Sequence, residues 1–206
     1  MKKGIFIVID GIDGTGKTTQ AGMLAQFLSG RGCSVLLARD PGGTELGEGL
    51  RDVLLHSRHS IDPVAEALMF AAARAQHVGE KILPALQKGW VVVSDRFADS
   101  MCAYQGAGKG VSVEFLELVN SYSCRGIVPD IIIILDLDPV TALSRMKRPA
   151  DRMESEGAEF LSRVRKEYLA RAERYPDRYI VLDGSMPVEE LFSDVKRVVE
   201  RLISST

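Results

Sequence analysis

The stretch Ile5-Phe6-Ile7-Val8-Ile9-Asp10-Gly11-Ile12-Asp13-Gly14-Thr15-Gly16-Lys17-Thr18-Thr19 constrains the fold more than any other. An apolar, β-branched run ends in an acid and a glycine-rich turn, and an amphipathic segment follows. Gly11 to Thr18 fits G-x-x-x-x-G-K-[ST], the pattern of a phosphate-binding loop. Glycines let the backbone curl until successive N–H groups point inward at phosphate oxygens. The loop opens a helix, whose positive N-terminus favours the same anion. Lys17 is spaced to reach the outer phosphates, and the Thr18 hydroxyl to ligate Mg²⁺. The stretch therefore predicts a nucleoside triphosphate site made of Gly11, Ile12, Asp13, Gly14, Thr15, Gly16, Lys17, Thr18 and Thr19.

The 206-residue chain suits one compact domain over 1–206 with a full hydrophobic core. A net charge of −2, without a Lys/Arg block, offers no general field for nucleic acid. No run of about 18 apolar residues is present to span a bilayer, so no membrane partner is expected. The chain enters a strand at once, without a signal-like segment. Cys33, Cys102 and Cys124 are odd in number and form no C-x-x-C, which suits a reducing compartment. The expectation is a soluble cytoplasmic protein.

Further strands are predicted over Ser34–Ala38, Trp90–Ser94, Ile131–Leu135 and Tyr179–Leu182, each a short apolar run. Helical patterns fall between them. One is predicted from Ala98 to Tyr104, followed by a glycine-rich connection from Gln105 to Gly110. Pro84 interrupts a helical pattern without plainly ending it. Strands alternating with helices argue for an α/β, three-layer α/β/α fold with a five-stranded parallel sheet flanked by helices. In such open sheets ligands bind beyond the carboxyl ends of the strands. Three polar stretches fall there: Asp10 to Thr18, Arg39 to Thr44, and Ser94 to Arg96.

Asp95 after an apolar strand can hold Mg²⁺ through water, and Arg96 can grip a phosphate with its planar fork. Arg51, on the helix after Pro41-Gly42-Gly43, can face the same crevice. Asp13 would repel a triphosphate, so it has another use: accepting from a sugar hydroxyl of a second substrate, or holding an arginine. His56-x-x-His59 lacks further ligands at metal spacing and reads as surface.

The succession Asp10-Gly11-Ile12-Asp13-Gly14-Thr15-Gly16-Lys17-Thr18-Thr19, Asp40-Pro41-Gly42-Gly43-Thr44, Phe70-Ala71-Ala72-Ala73-Arg74, Asp95-Arg96-Phe97 and Ala103-Tyr104-Gln105-Gly106 resembles the bacterial thymidylate kinases across essentially the whole chain. The resemblance implies phosphoryl transfer from ATP to dTMP, giving dTDP and ADP, in dTTP synthesis for DNA replication. It implies a P-loop NTPase fold with a short lid over about 145–157, Mg²⁺ at Thr18 and Asp95, and a homodimer. Another pyrimidine nucleotide kinase of the same fold remains open. So does a non-catalytic ATP-binding regulator, although Lys17, Thr18, Asp95 and Arg96 together argue against it.

Phe70 and Arg74 stand one helical turn apart, with alanines between them leaving room for a flat base. Phe70 can stack on thymine, and Arg74, a donor only, can read O4. By resemblance, Tyr104 lies against the sugar, Gln105 contacts the nucleotide, and Arg145 lies against adenine. Gly14 occupies a position that carries a basic residue in another branch of the family. The bacterial branch uses lid arginines instead, which makes Arg148 and Arg152 catalytic candidates beside Lys17 and Arg96. Two departures stand out. Asp40 is found where Glu is more usual, and Met101 where relatives often place a polar residue near the base.

Overall fold

The computed structural model describes residues 4–146 and 151–204. Strands β1 (Ile5–Asp10), β2 (Val35–Arg39), β3 (Val91–Asp95), β4 (Ile131–Asp136) and β5 (Tyr179–Asp183) form one parallel sheet in the order β2-β3-β1-β4-β5. The helices are α1 (Lys17–Gly30), α2 (Glu45–His56), α3 (Pro63–His77), α4 (Leu83–Gln87), α5 (Ala98–Met101), α6 (Val113–Ser123), α7 (Pro139–Arg145), α8 (Gly157–Arg174) and α9 (Val188–Ser204). Among the described residues no helix is long and apolar enough to cross a membrane.

Both faces of the central strands are covered, which is why β1 and β4 read as unbroken apolar runs. Successive side chains alternate between two cores. Phe6, Val8, Val92, Ile132 and Ile134 face a layer containing Phe160, Val164 and Tyr168 of α8. Ile7, Ile9, Val93, Ile133 and Leu135 face Leu24 and Leu28 of α1 and Leu191, Val195 and Val199 of α9. Each fully buried side chain of this size contributes about 1.5–3 kcal/mol by leaving water.

Local chemistry sets the helix starts. Thr44 accepts the Gly47 N–H at the head of α2, and Asp62 and Asp138 accept two N–H groups each at α3 and α7. Pro63 and Pro139 occupy first-turn positions, where a missing N–H costs nothing. A π-helical turn, Val78–Ile82, joins α3 to α4, and Pro84 lies in the first turn of α4.

The expected break after Tyr104 is absent. α5 passes directly into a π-helical segment, Cys102–Gly108. The glycines there mark a close approach rather than a loop: a Cβ on Gly108 would lie 2.5 Å from the Phe160 ring. The wide turn also leaves Tyr104 and Gln105, adjacent in sequence, both bordering one cleft. The register pairs Ile9 and Arg39 with Asp95, so the carboxyl ends of β1, β2 and β3 open side by side.

Candidate active site

At the end of β1 the chain turns through Gly11 to Gly16 and enters α1 at Lys17. Gly14 is at φ 84°, and a Cβ there would fall 2.2 Å from the Ala142 carbonyl oxygen. A side chain is excluded twice over, by backbone conformation and by space. Unlike α2, α3 and α7, α1 has no side-chain cap, and it carries no acid in its first turn. Its N–H groups are left for an external anion. Ile12 is buried, and its carbonyl accepts the Thr15 hydroxyl at 2.9 Å and Lys17 Nζ at 2.7 Å. Lys17 also lies 3.6 Å from Asp13. Burial, then the charge of Arg96, lowers the lysine pKa, against the pull of Asp13, Asp95 and Asp10.

Thr18 Oγ1 donates to Asp95 Oδ2 at 2.5 Å, and both residues border the cleft. A hydroxyl and a carboxylate oxygen are hard donors of the kind Mg²⁺ takes, so this pair fits the ion. Among the described residues there is no cluster of three or more His, Cys, Asp or Glu for a softer metal. His56 instead pairs with Asp52 on the surface.

Arg96 is the most heavily engaged group. It adopts φ 69°, unusual for a non-glycine residue, just past β3. Nη1 donates to Asp10, Gly11 O, Ser100 and Tyr168, and Nη2 to Asp13 at 2.6 Å and Tyr104 at 2.9 Å. Tyr104 in turn donates to Asp13 at 2.8 Å. Burial by itself would raise the Asp13 carboxyl, but Arg96 and then Lys17 outweigh it and hold the group well below the usual range. Asp13 thus holds an arginine, and the arginine comes from β3. Asp10 shows the opposite balance: its burial wins over Arg96 and Tyr168, and its pKa rises.

The cleft has a volume of about 410 Å³. Asp13, Gly14, Gly16, Lys17, Thr18, Thr19, Arg51, Phe70, Arg74, Asp95, Arg96, Tyr104, Gln105 and Arg145 border it. Gly11, Ile12 and Thr15 belong to the same loop but do not border the cleft. Arg51 donates to Pro41 O at 3.0 Å. Its pKa is lowered by burial and then by Arg39, a second cation on the same wall. Like charges gathered in this way leave room for an anion between them.

Arg74 is almost wholly buried. Nε donates to Asp40 at 2.5 Å and Nη1 to Asn120 at 2.6 Å. The shorter acid at position 40 therefore still reaches its arginine. With these donors committed, the rest of the guanidinium is fixed at the cleft wall. Met101 is buried beside it, its sulfur 4.0 Å from Nη1, and gives that wall an apolar surface. Gln105 donates its side-chain amide to Glu66 at 2.8 Å.

The lid candidates divide. Arg145 borders the cleft and donates to Gly184 O at 2.7 Å and Ser185 O at 3.2 Å. Arg148 lies outside the described residues. Arg152 does not enter the cleft: Nε donates to Leu54 O at 2.8 Å and Nη2 to Glu66, which ties it to α2 and α3. The buried carboxylate of Glu66 outcompetes the open cleft for this cation.

Sequence reasoning missed Ser100, Tyr168, Asn120 and Glu66. Tyr168 falls on an apolar helical stripe, where only its hydroxyl hinted at a polar task. Asn120 is a mid-helix asparagine and Glu66 a first-turn acid, both unremarkable until folding places Arg74 and Arg152 beside them.

A family model described as thymidylate kinase matches residues 9–195. A curated thymidylate kinase of Pelotomaculum thermopropionicum is 48% identical, the match covering 98% of this chain and 96% of that protein. One from Leifsonia xyli is 44% identical, covering 95% and 94%. The crystal structure of thymidylate kinase from Ehrlichia chaffeensis superposes with a TM-score of 0.81 at 32% identity, covering 96% of this chain and 99% of that one. A whole-length sequence match thus agrees with an uncapped phosphate-binding loop and an arginine-lined cleft, and the chain belongs to the thymidylate kinase family.

Proposed function

We infer that this chain transfers the γ-phosphoryl group of ATP to dTMP, giving dTDP and ADP, as a cytoplasmic homodimer. The observation that carries the reading is one cleft bordered both by Lys17 and Thr18 and by Phe70 and Arg74. Phosphoryl transfer needs two phosphates held in line and their charge neutralised, with little covalent help. The open N-terminus of α1 and the loop N–H groups cradle the triphosphate, and Lys17 turns from the Ile12 carbonyl to the outer phosphate oxygens. Arg96 and Arg51 hold the dTMP phosphate. Arg96 is already oriented by Asp10, Asp13 and Tyr104, so little reorganisation is needed when the anion arrives.

Thr18, and Asp95 through water, would hold Mg²⁺, which when bound neutralises charge on the transferring phosphates. The acceptor phosphate is already anionic near neutral pH, so no protein base is required. Thymine stacks on Phe70 with O4 toward Arg74. Tyr104 stands beside the sugar, and Arg145 lies against adenine. Gln105 offers its amide oxygen to N3–H, since its NH₂ is taken by Glu66. Arg148 keeps the charge-stabilising role that the resemblance implies. Arg152, held by Glu66, anchors the segment after it.

A coupled assay of ADP release with ATP and each of dTMP, dUMP, dCMP and dGMP tests the reading. Turnover with dTMP is expected to exceed the others. A protein that hydrolyses or binds ATP without phosphorylating dTMP would sink it.

A further inference from the structure

Glu66 lies in the first turn of α3 and is fully buried. Its Oε1 accepts from the Gln105 amide at 2.8 Å, and its Oε2 from Lys109 Nζ at 3.1 Å and from Arg152. A carboxylate paired with two cations has only acceptors to offer. Gln105 must therefore turn its NH₂ toward Glu66, and its amide oxygen is left without a partner among the described residues, on a residue that borders the cleft. An amide has no such preference of its own, because half a turn exchanges donor and acceptor in nearly the same volume. Glu66 supplies the preference.

We propose that Glu66 is a specificity-determining positioning residue, which locks the Gln105 amide with its acceptor toward the N3 edge of a pyrimidine. The proposal rests on the reading of the cleft as a dTMP site. Glu66, Phe70 and Arg74 follow one another at one-turn spacing along α3, so a ring stacked on Phe70 lies between Arg74 and the Glu66–Gln105 pair. Thymine and uracil present an N3–H donor next to O4. Cytosine presents a bare N3 acceptor at the same place. A locked acceptor thus pairs with the first two and opposes the third. The neighbouring Met101 thioether is too weak a partner to replace it. Lys109 and Arg152 complete the device by compensating a carboxylate that would otherwise be buried without a counter-charge.

The experiment compares kcat/KM for dTMP, dUMP and dCMP in the wild type and in Glu66→Gln, whose amide can face Gln105 either way round. The dTMP-to-dCMP ratio is expected to fall by about tenfold or more, while the dTMP-to-dUMP ratio stays within about twofold, since the amide does not read the methyl group. Adding Glu66→Gln to Gln105→Leu is expected to change the dCMP ratio no further. A purely structural role would lower all three substrates alike, and unshifted ratios would overturn the proposal. Thermal unfolding checks that the variant is folded. Should it not be, Glu66→Asp keeps the charge for Lys109 and Arg152 while drawing back from Gln105, and the same ratio decides. An unchanged ratio in a folded Glu66→Asp also overturns it. Wild-type protein inactive on dTMP would remove the functional reading itself, whereas an active wild type with unshifted variants removes only the role of Glu66.

Discussion

Arg74 owes its position to residues far away in the chain. Asp40 and Asn120 clamp two of its nitrogens, and Met101 and Phe97 close around it. The Phe70–Arg74 spacing was readable because both lie on one helix, whereas the clamp joins three separate elements and leaves no local signature. The same holds for Arg96, whose place at the cleft was legible from its position after a strand, while its network with Asp10, Ser100 and Tyr168 was not. In the proposed site, Arg74→Ala should lower the dTMP-to-dCMP ratio of kcat/KM far more than the dTMP-to-dUMP ratio, because uracil keeps O4. Phe70→Ala should weaken all three, since stacking is blind to the ring edge. Equal changes in both ratios for Arg74→Ala would show that it does not read O4. His77 supports the same wall: it is buried, and a Cβ on Gly43 would meet its Nε2 at 2.4 Å. Burial lowers its pKa from 6.5, although Asp40, Glu48 and Glu80 pull the other way and only Lys81 assists. The unfolded chain then takes up the proton first as pH falls. Stability is full above about pH 6.5 and declines below it toward the lowered folded pKa. Melting temperatures between pH 7.5 and 5.5 should fall more steeply for the wild type than for His77→Gln, and parallel slopes would refute the assignment.

Elements were more legible than their junctions. Parallel strands buried on both faces are short apolar runs, and all five were visible within a residue or two of their ends. Caps such as Asp62-Pro63 and Asp138-Pro139 are equally local, an acid followed at once by a first-turn proline. The segment after Met101 misled, because glycines that admit Phe160 look the same in sequence as glycines that make a loop. Arg152 shows a related limit: a basic run near a lid shows which residues are charged but not which carboxylate each meets, here Glu66. The two lid arginines should therefore differ. Arg148→Ala is expected to lower kcat more than it raises the KM for dTMP, since its charge would act mainly in the transition state. Arg152→Ala leaves Glu66 with one cation fewer and frees the segment from Leu54 O. It should lower the melting temperature and change KM as well as kcat. Steady-state kinetics with thermal unfolding on both variants separates the two roles, and identical profiles would contradict the division.

At the scale of the molecule, α3 and α6 pack side by side, and each leaves large apolar side chains exposed. Val64 and Leu68 on α3, and Leu118 and Tyr122 on α6, are each four residues apart and so share a face. Leu118 is 58% exposed and Tyr122 78% exposed, large values for such side chains. Exposed apolar side chains of this kind suit the two-fold dimer that the family resemblance implies. A stable pairing would bury about 1,200–2,000 Å² in total, which two helices per protomer can supply. The same helix carries Phe70 and Arg74, so pairing would also stiffen the wall on which the base would rest. Leu118→Glu places a charge on this exposed apolar surface. Sedimentation velocity at micromolar concentration should show a dimer for the wild type and a monomer for the variant. The monomer should retain its fold by circular dichroism and show a raised KM for dTMP, with a smaller change in KM for ATP because α1 and the phosphate-binding loop lie on other elements. A wild type that sediments as a monomer, or a variant that stays dimeric, would move the interface elsewhere or remove it.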